Sequence, residues 1–333
     1  MGRGLMIEKY SKESSPIREI KSSFVQDNGK LLGEACGLNQ FYTEQEPRSE
    51  CKNCEDTMGG VAFKSFGVPY SLCDNCGHLN GVFEDSEEFT QYLYREQNGK
   101  NYKENYVNNY DQRVEDIYLP KVDFLEDVVG ECKVNDVGCG AGHFLKACEY
   151  RGIDGEGIDP NKDLVDIGRS QLRFNQIHVA TPGEFEWFIE SSESVVSMIG
   201  VLEHLREPNK ALEAFSRSQA EHLYISVPLF GASVFIEHSF PDVFPRHLRG
   251  GHTHLYTKQS LEYMADKHNL EIEGQWWFGA DMMDLYRSMQ VRDGSIRYRE
   301  LLEQYIAPYI DELQEVLDKH KVCSEVHLIY KKK

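Results

Sequence analysis

Residues 132–152, CKVNDVGCGAGHFLKACEYRG, constrain the fold more than any other stretch. A short apolar run enters Gly138, Gly140 and Gly142, then leaves through Phe144, Leu145, Ala147 and Cys148 at helical spacing. That is a strand, a glycine turn and a helix, an arrangement that brings backbone N–H groups up against a ligand. Downstream, GEGIDPN ends a second strand at Asp159, about twenty residues on, where a carboxylate can take ribose hydroxyls. The order strand, loop, helix, strand, acid predicts an α/β chain with a doubly wound, Rossmann-like sheet. The loop reads G-x-G-x-G, its third glycine one place early for a dinucleotide fingerprint.

A second signal is the cysteine quartet, CKNC at 51–54 and CDNC at 73–76. Two paired-thiolate knuckles, Cys51 with Cys54 and Cys73 with Cys76, suit a tetrahedral ion such as zinc, bound at about 2.3 Å. The plainer reading is four unrelated buried cysteines, which the paired spacing disfavours. Four thiolates would close the shell, so the metal is expected to be structural. VAFKSF and VPYSLC, between the knuckles, suit a small ribbon.

Composition bounds the partners. A formal net charge of −19, with no basic cluster before the terminal KKK, argues against nucleic acid and for a small polar acceptor. No apolar run is long enough to span a bilayer, and the N-terminus lacks a signal-like apolar core. A cytoplasmic protein with reduced cysteines is expected.

The chain divides into a polar, loosely docked leader (1–45), a zinc-binding ribbon (46–85), a helical lid or linker (86–130) and the nucleotide-binding-like domain (131–333). Tyr102, Tyr106 and Tyr110 recur at four-residue spacing, either as a packed stripe or as a lid offering hydroxyls to substrate. Residues 281–322 form an added helical piece broken at Pro308, suited to core packing or to a homodimer contact. The closing SEVHLIYKK is expected as a strand at the sheet edge.

NDVGCGAGHF, GIDPN, VLEHLREP and YISVP together resemble the class I S-adenosylmethionine-dependent methyltransferases, in that family's order over residues 115–275. The resemblance implies a seven-stranded sheet and S-adenosylmethionine as cofactor. Gly138, Cys139, Gly140 and Gly142 would then approach its methionine and ribose portions, and Asp136 would orient the amine. Asp159 would hold the ribose, with Pro160 and Asn161 flanking the adenine. Gly200, Val201 and Leu202 would line the sulfonium side. Glu203 and His204 match the E-H pair of this branch, either as site residues or as fixtures of a helix start. TPGEF at 181–185 departs from the usual acid at the third strand's end, leaving Glu184 as the candidate for the adenine amine.

A ribbon upstream of this core is similar to the arrangement in bacterial sugar methyltransferases, which act on nucleotide-linked sugars or on polysaccharide and natural-product intermediates. In HLRGGHTHLYT (247–257), His252 falls where the C-methylating branch has its histidine, but Arg249 stands in place of that branch's tyrosine. VFIEHSF keeps an E-H pair, with Phe235 in the aromatic slot. Methylation at oxygen is therefore expected, with nitrogen as the second choice. His252 and His254, alternating along one extended segment, are the expected proton acceptors, with His238 and His247 in reserve. Arg246 and Arg249 would grip an anionic group. The alternatives are an RNA base methyltransferase with a ribbon, a C-methyltransferase, or a fold kept without catalysis.

Overall fold

The computed structural model describes residues 6–15, 24–93, 109–181, 183–249 and 251–333; Tyr102 and Tyr106 lie outside them. The strands are β1 (Ile7–Tyr10), β2 (Phe63–Ser65), β3 (Val68–Leu72), β4 (Leu79–Gly81), β5 (Val134–Val137), β6 (Gly155–Asp159), β7 (Gln176–Val179), β8 (Val195–Ile199), β9 (His222–Pro228), β10 (His254–Leu255), β11 (Leu270–Phe278) and β12 (Glu325–Lys332). Eight form the main sheet in the order β1-β11-β12-β9-β8-β5-β6-β7. Strands β5 to β9 pair in parallel, so their carboxyl ends and the loops after them share one end of the sheet.

Helices cover both faces. Leu119–Val129, His143–Arg151 and Lys162–Gln171 bury Phe124, Leu145 and Val165 on one side. Glu184–Glu190, Pro208–Arg217 and Lys258–Lys267 bury Ile189, Phe215 and Leu261 on the other. Each such side chain contributes about 1.5–3 kcal/mol relative to exposure, so the doubly wound expectation follows from the two apolar stripes.

Two expectations need correction. Strand β12 is not at the edge: it lies antiparallel between β9 and β11. Val326 to Tyr330 are all buried, a run that only a strand covered on both faces can satisfy. Nor are the described parts of the leader, residues 6–15 and 24–45, loosely docked. Strand β1 adds an eighth strand parallel to β11, tied by Trp276 Nε1 donating to Ser11 O (2.9 Å) and by Lys321 to Glu8 (2.7 Å). Helix Phe24–Thr43 then buries Leu38 and Tyr42 against the ribbon, with Tyr42 Oη donating to Phe83 O at 2.6 Å. The segment reads as polar because β1 is an edge strand and the helix is covered on one side alone.

The ribbon is a four-stranded sheet, β10-β4-β3-β2, whose fourth strand comes from the HTHLYT segment. The helical piece 281–322 is anchored through Asp281. Its Oδ1 accepts from Ser233 N and Oγ (both 2.8 Å), and its Oδ2 from Gln314 (2.9 Å) and Ser324 N (3.1 Å). Among the described residues, no helix is long and apolar enough to cross a membrane.

Candidate active site at the carboxyl ends of the parallel strands

Strand β5 ends in a loop that needs its glycines. Gly138, Gly140 and Gly142 have φ of 71°, 54° and 74°, the left-handed region that side chains avoid. A Cβ on Gly138 would sit 2.6 Å from Val201 Cγ2, so this backbone and the turn after β8 are in direct contact. Gly138 N and Cys139 N both donate to Ile158 O, at 2.8 and 3.0 Å. Asp159 completes the brace: Oδ2 accepts from Gly140 N (2.9 Å) and Oδ1 from Asn161 N (2.8 Å). Each oxygen keeps a lone pair for a further donor. Asn161 in turn caps the helix Lys162–Gln171, while Pro160 is exposed beside it. Asp136 lies beneath the loop and accepts from Ser197 Oγ at 2.6 Å; burial pushes its carboxyl up to about 7.

Tyr110, expected as a substrate contact, supports the loop instead. Its hydroxyl donates to Ala141 O (2.9 Å), and its ring stacks on His143 with centroids 4.1 Å apart. Glu184, expected at the adenine, is exposed and accepts from the Thr181 backbone amide.

After β8, Gly200 (φ 70°) and Val201 lead into the turn Leu202–His204. Leu202 and Glu203 are buried. Burial pushes the Glu203 carboxyl up to about 8, and its Oε2 has no hydrogen-bond partner among the described residues. His204 Nδ1 lies 2.7 Å from Gly251 O. A carbonyl only accepts, so Nδ1 carries the proton and Nε2 keeps its lone pair. Nε2 stands 3.9 Å from Glu203 Oε1, and the His252 ring is centred 5.0 Å from that of His204. Burial lowers His204 to about 4 and His252 well below its usual range, so both imidazoles are neutral near pH 7. Glu203, His204 and His252 thus bring their polar atoms within 4.8 Å of one another. The E-H pair in VLEHL was the signal for this cluster; its meeting with His252 needed the fold.

The other candidates are separated from it. His254 does not share a face with His252, because the extended pairing begins only at β10. It turns into the ribbon, where its Nδ1 meets His78 Nε2 at 2.8 Å. His238 is exposed on the ribbon side, 3.3 Å from Ser65 Oγ. His247 is buried against Glu237 through Nδ1 (2.9 Å) and its backbone amide (3.0 Å). Arg246 pairs with Asp284 (2.9 Å), while Arg249 lies over the Phe244 ring at 5.9 Å, its charge acting on His204 and His252.

Residues 110–275 match the family model described as a methyltransferase domain. The chain carries a methyltransferase domain. No curated protein sequence matches it. Among solved structures, this methyltransferase is similar to a SAM-dependent methyltransferase from Archaeoglobus fulgidus, at 17% identity over 74% of this chain and 100% of that one, with a TM-score of 0.41. It is also similar to magnesium protoporphyrin IX methyltransferase from Synechocystis PCC 6803, solved with bound SAH, at 10% identity over 74% and 100%, with a TM-score of 0.49. A TehB-like SAM-dependent methyltransferase from Corynebacterium glutamicum gives 16% identity over 70% and 99%, with a TM-score of 0.42.

The ribbon of this methyltransferase gathers its four cysteines. All four Sγ atoms lie within 4.8 Å of one another, with Cys51–Cys76 at 3.7 Å and Cys54–Cys73 at 3.4 Å. Bonds of about 2.3 Å in a tetrahedron place sulfurs about 3.8 Å apart, so the donor set fits a soft tetrahedral ion. The two knuckles fold alike: Glu55 N donates to Cys51 O and Gly77 N to Cys73 O, both at 2.8 Å, with φ of 63° and 70°. Asn80 Nδ2 reaches Cys51 Sγ at 3.4 Å. The ribbon is fixed to the catalytic domain by Asn53 Nδ2 donating to Ser260 O at 2.9 Å and by Lys52 donating to Leu205 O at 3.0 Å.

Proposed function

We propose that this methyltransferase acts on a hydroxyl of a sugar, a nucleotide-linked sugar or a related small polar metabolite, with His204 and His252 handling the proton. S-Adenosylmethionine, when bound, supplies a methyl group already activated by its sulfonium. The chain's own residues then have two tasks, alignment and proton removal. Gly138, Gly140 and Gly142 let the backbone approach the cofactor, Asp159 offers acceptors to the ribose, and Asp136 lies where the amine would be held. Held by these residues, the cofactor would supply its methyl group to the acceptor oxygen, and the hydroxyl proton would pass to a histidine nitrogen.

The observation that carries this reading is the Gly251 carbonyl on His204 Nδ1, which leaves Nε2 as an unprotonated acceptor in the turn that follows Gly200–Leu202. His252, the acceptor favoured by sequence, stands beside it as a second neutral imidazole. Arg249 in the place of a tyrosine supports oxygen over carbon as the methylated atom. The test is transfer of radiolabelled methyl to a panel of nucleotide-linked and free sugars. Label on a hydroxyl, lost in His204→Ala, supports the proposal; label on carbon, or on RNA alone, contradicts it.

We further propose that Cys51, Cys54, Cys73 and Cys76 hold a structural zinc, and that the protein works in the cytoplasm, where such thiolates persist. The homodimer through the C-terminal helices also stands as a proposal; Tyr309, Leu313 and Val316 are exposed there, and light scattering at two concentrations tests it.

A further inference from the structure

A cleft of about 190 Å³ opens at the carboxyl end of the sheet, lined by Lys12, Arg113, Lys121 and Arg246 together with Glu13 and Glu325. Glu325 pairs with Pro228 at the end of β9, which places the cleft at the same sheet end as the glycine loop and the turn after β8. Lys121 acts electrostatically on both Asp136 and Glu203. In a chain of net charge −19, four basic and two acidic side chains around one cleft is a local reversal of sign.

The basic groups are not equally committed. Arg246 is neutralised by Asp284 at 2.9 Å. Lys121 is 7% exposed, yet its ammonium makes no hydrogen bond or ion pair among the described residues; it stands 5.0 Å over the Tyr118 ring. Most of its side chain is buried, while the ammonium faces the cleft without a protein acceptor, which leaves it available to an anion there. Lys12 lines the same cleft and feels the Lys121 charge. Burial and the Lys121 charge lower Lys12 to about 8, while burial lowers Lys121 itself. Glu325 offsets them in part. Burial alone would raise its carboxyl, but the His327 hydrogen bond and the lysine charges hold it low.

We propose that this cleft binds a phosphate group of the methyl acceptor, with Lys121 and Lys12 as its principal contacts and Arg113 at its wall. The proposal rests on the acceptor reading above and narrows it: the substrate is a phosphorylated small molecule, either a sugar phosphate or a nucleoside-diphosphate-linked sugar. A guanidinium and two ammonium groups suit phosphate oxygens, because charge-assisted hydrogen bonds to an anion are the strong ones.

The test is equilibrium dialysis of the full chain, in the presence of S-adenosylhomocysteine, against labelled inorganic phosphate and inorganic pyrophosphate. Saturable binding of one anion per chain is expected, weakened tenfold or more by Lys121→Met and by Lys12→Met, and unchanged by the exposed Lys319→Met. Tighter phosphate binding indicates a monoester, and tighter pyrophosphate binding a diphosphate linkage. Absence of saturable anion binding in a chain that retains S-adenosylhomocysteine overturns the cleft assignment alone. So does equal binding by Lys121→Met and Lys12→Met, or displacement of the anion by homopolymeric RNA. Failure of the wild-type chain to retain S-adenosylhomocysteine would instead strike the methyltransferase reading.

Discussion

The side chain of His204 and the backbone of Gly251 meet across 47 residues at 2.7 Å, joining the turn after β8 to the glycine pair that precedes HTHLYT. This contact fixes one tautomer. ¹⁵N NMR of labelled histidine is expected to show His204 protonated at Nδ1 and bare at Nε2 at pH 7. With an authentic acceptor, His204→Ala is expected to cost about 10²–10⁴ in rate, the usual worth of a general base. A smaller loss in His204→Ala than in His252→Ala would hand the role to His252.

Glu203 predicts the pH dependence of stability. Its carboxyl, about 4.5 when unfolded, is raised to about 8 by burial, with Glu325 adding to the shift and Lys121 opposing it. Between those values the folded chain holds a proton that the unfolded chain releases. Its contribution to stability is therefore fully present below about 4.5 and is lost as pH rises towards 8. Glu203→Gln is expected to flatten this slope, measured by urea denaturation at pH 5 and pH 8.

Gly138→Ala meets two separate penalties. Its φ of 71° costs a side chain about 1–2 kcal/mol, and the new Cβ would press on Val201 Cγ2 at 2.6 Å. Adding Val201→Ala relieves the second and not the first. The double variant is expected to recover part of the lost Tm and to remain weak in cofactor binding.

Metal analysis after purification without chelator is expected to give close to one zinc per chain, retained in Cys139→Ser. Chelation is expected to lower Tm, because the same ribbon sheet holds β10, two residues after His252. A metal content near zero would remove the zinc assignment.

Much of this was legible in the sequence because it is local. A glycine loop, the acid at Asp159 and two C-x2-C knuckles each carry their geometry within a few residues. What escaped is long-range. His252 and His254 look equivalent by alternation, and only the pairing of β10 with β4 sends one into the ribbon. Lys121 sits in YLPKVDFLEDVV like any helix lysine, and its electrostatic pairing with Glu325 depends on β12 entering the middle of the sheet. The polar leader hid an edge strand, since such a strand needs only one apolar face. The spacing that includes Tyr110 left a packed and a substrate-facing role open, and only the fold shows its hydroxyl donating to Ala141 O.

The most direct test is calorimetric titration of the full chain with S-adenosylmethionine, beside Asp159→Ala. Asp159 braces Gly140 and Asn161 and offers its remaining lone pairs to the ribose. One cofactor per wild-type chain is expected, with affinity reduced tenfold or more in a variant whose circular dichroism is unchanged. No binding to the wild type, or equal binding to both, would contradict the account.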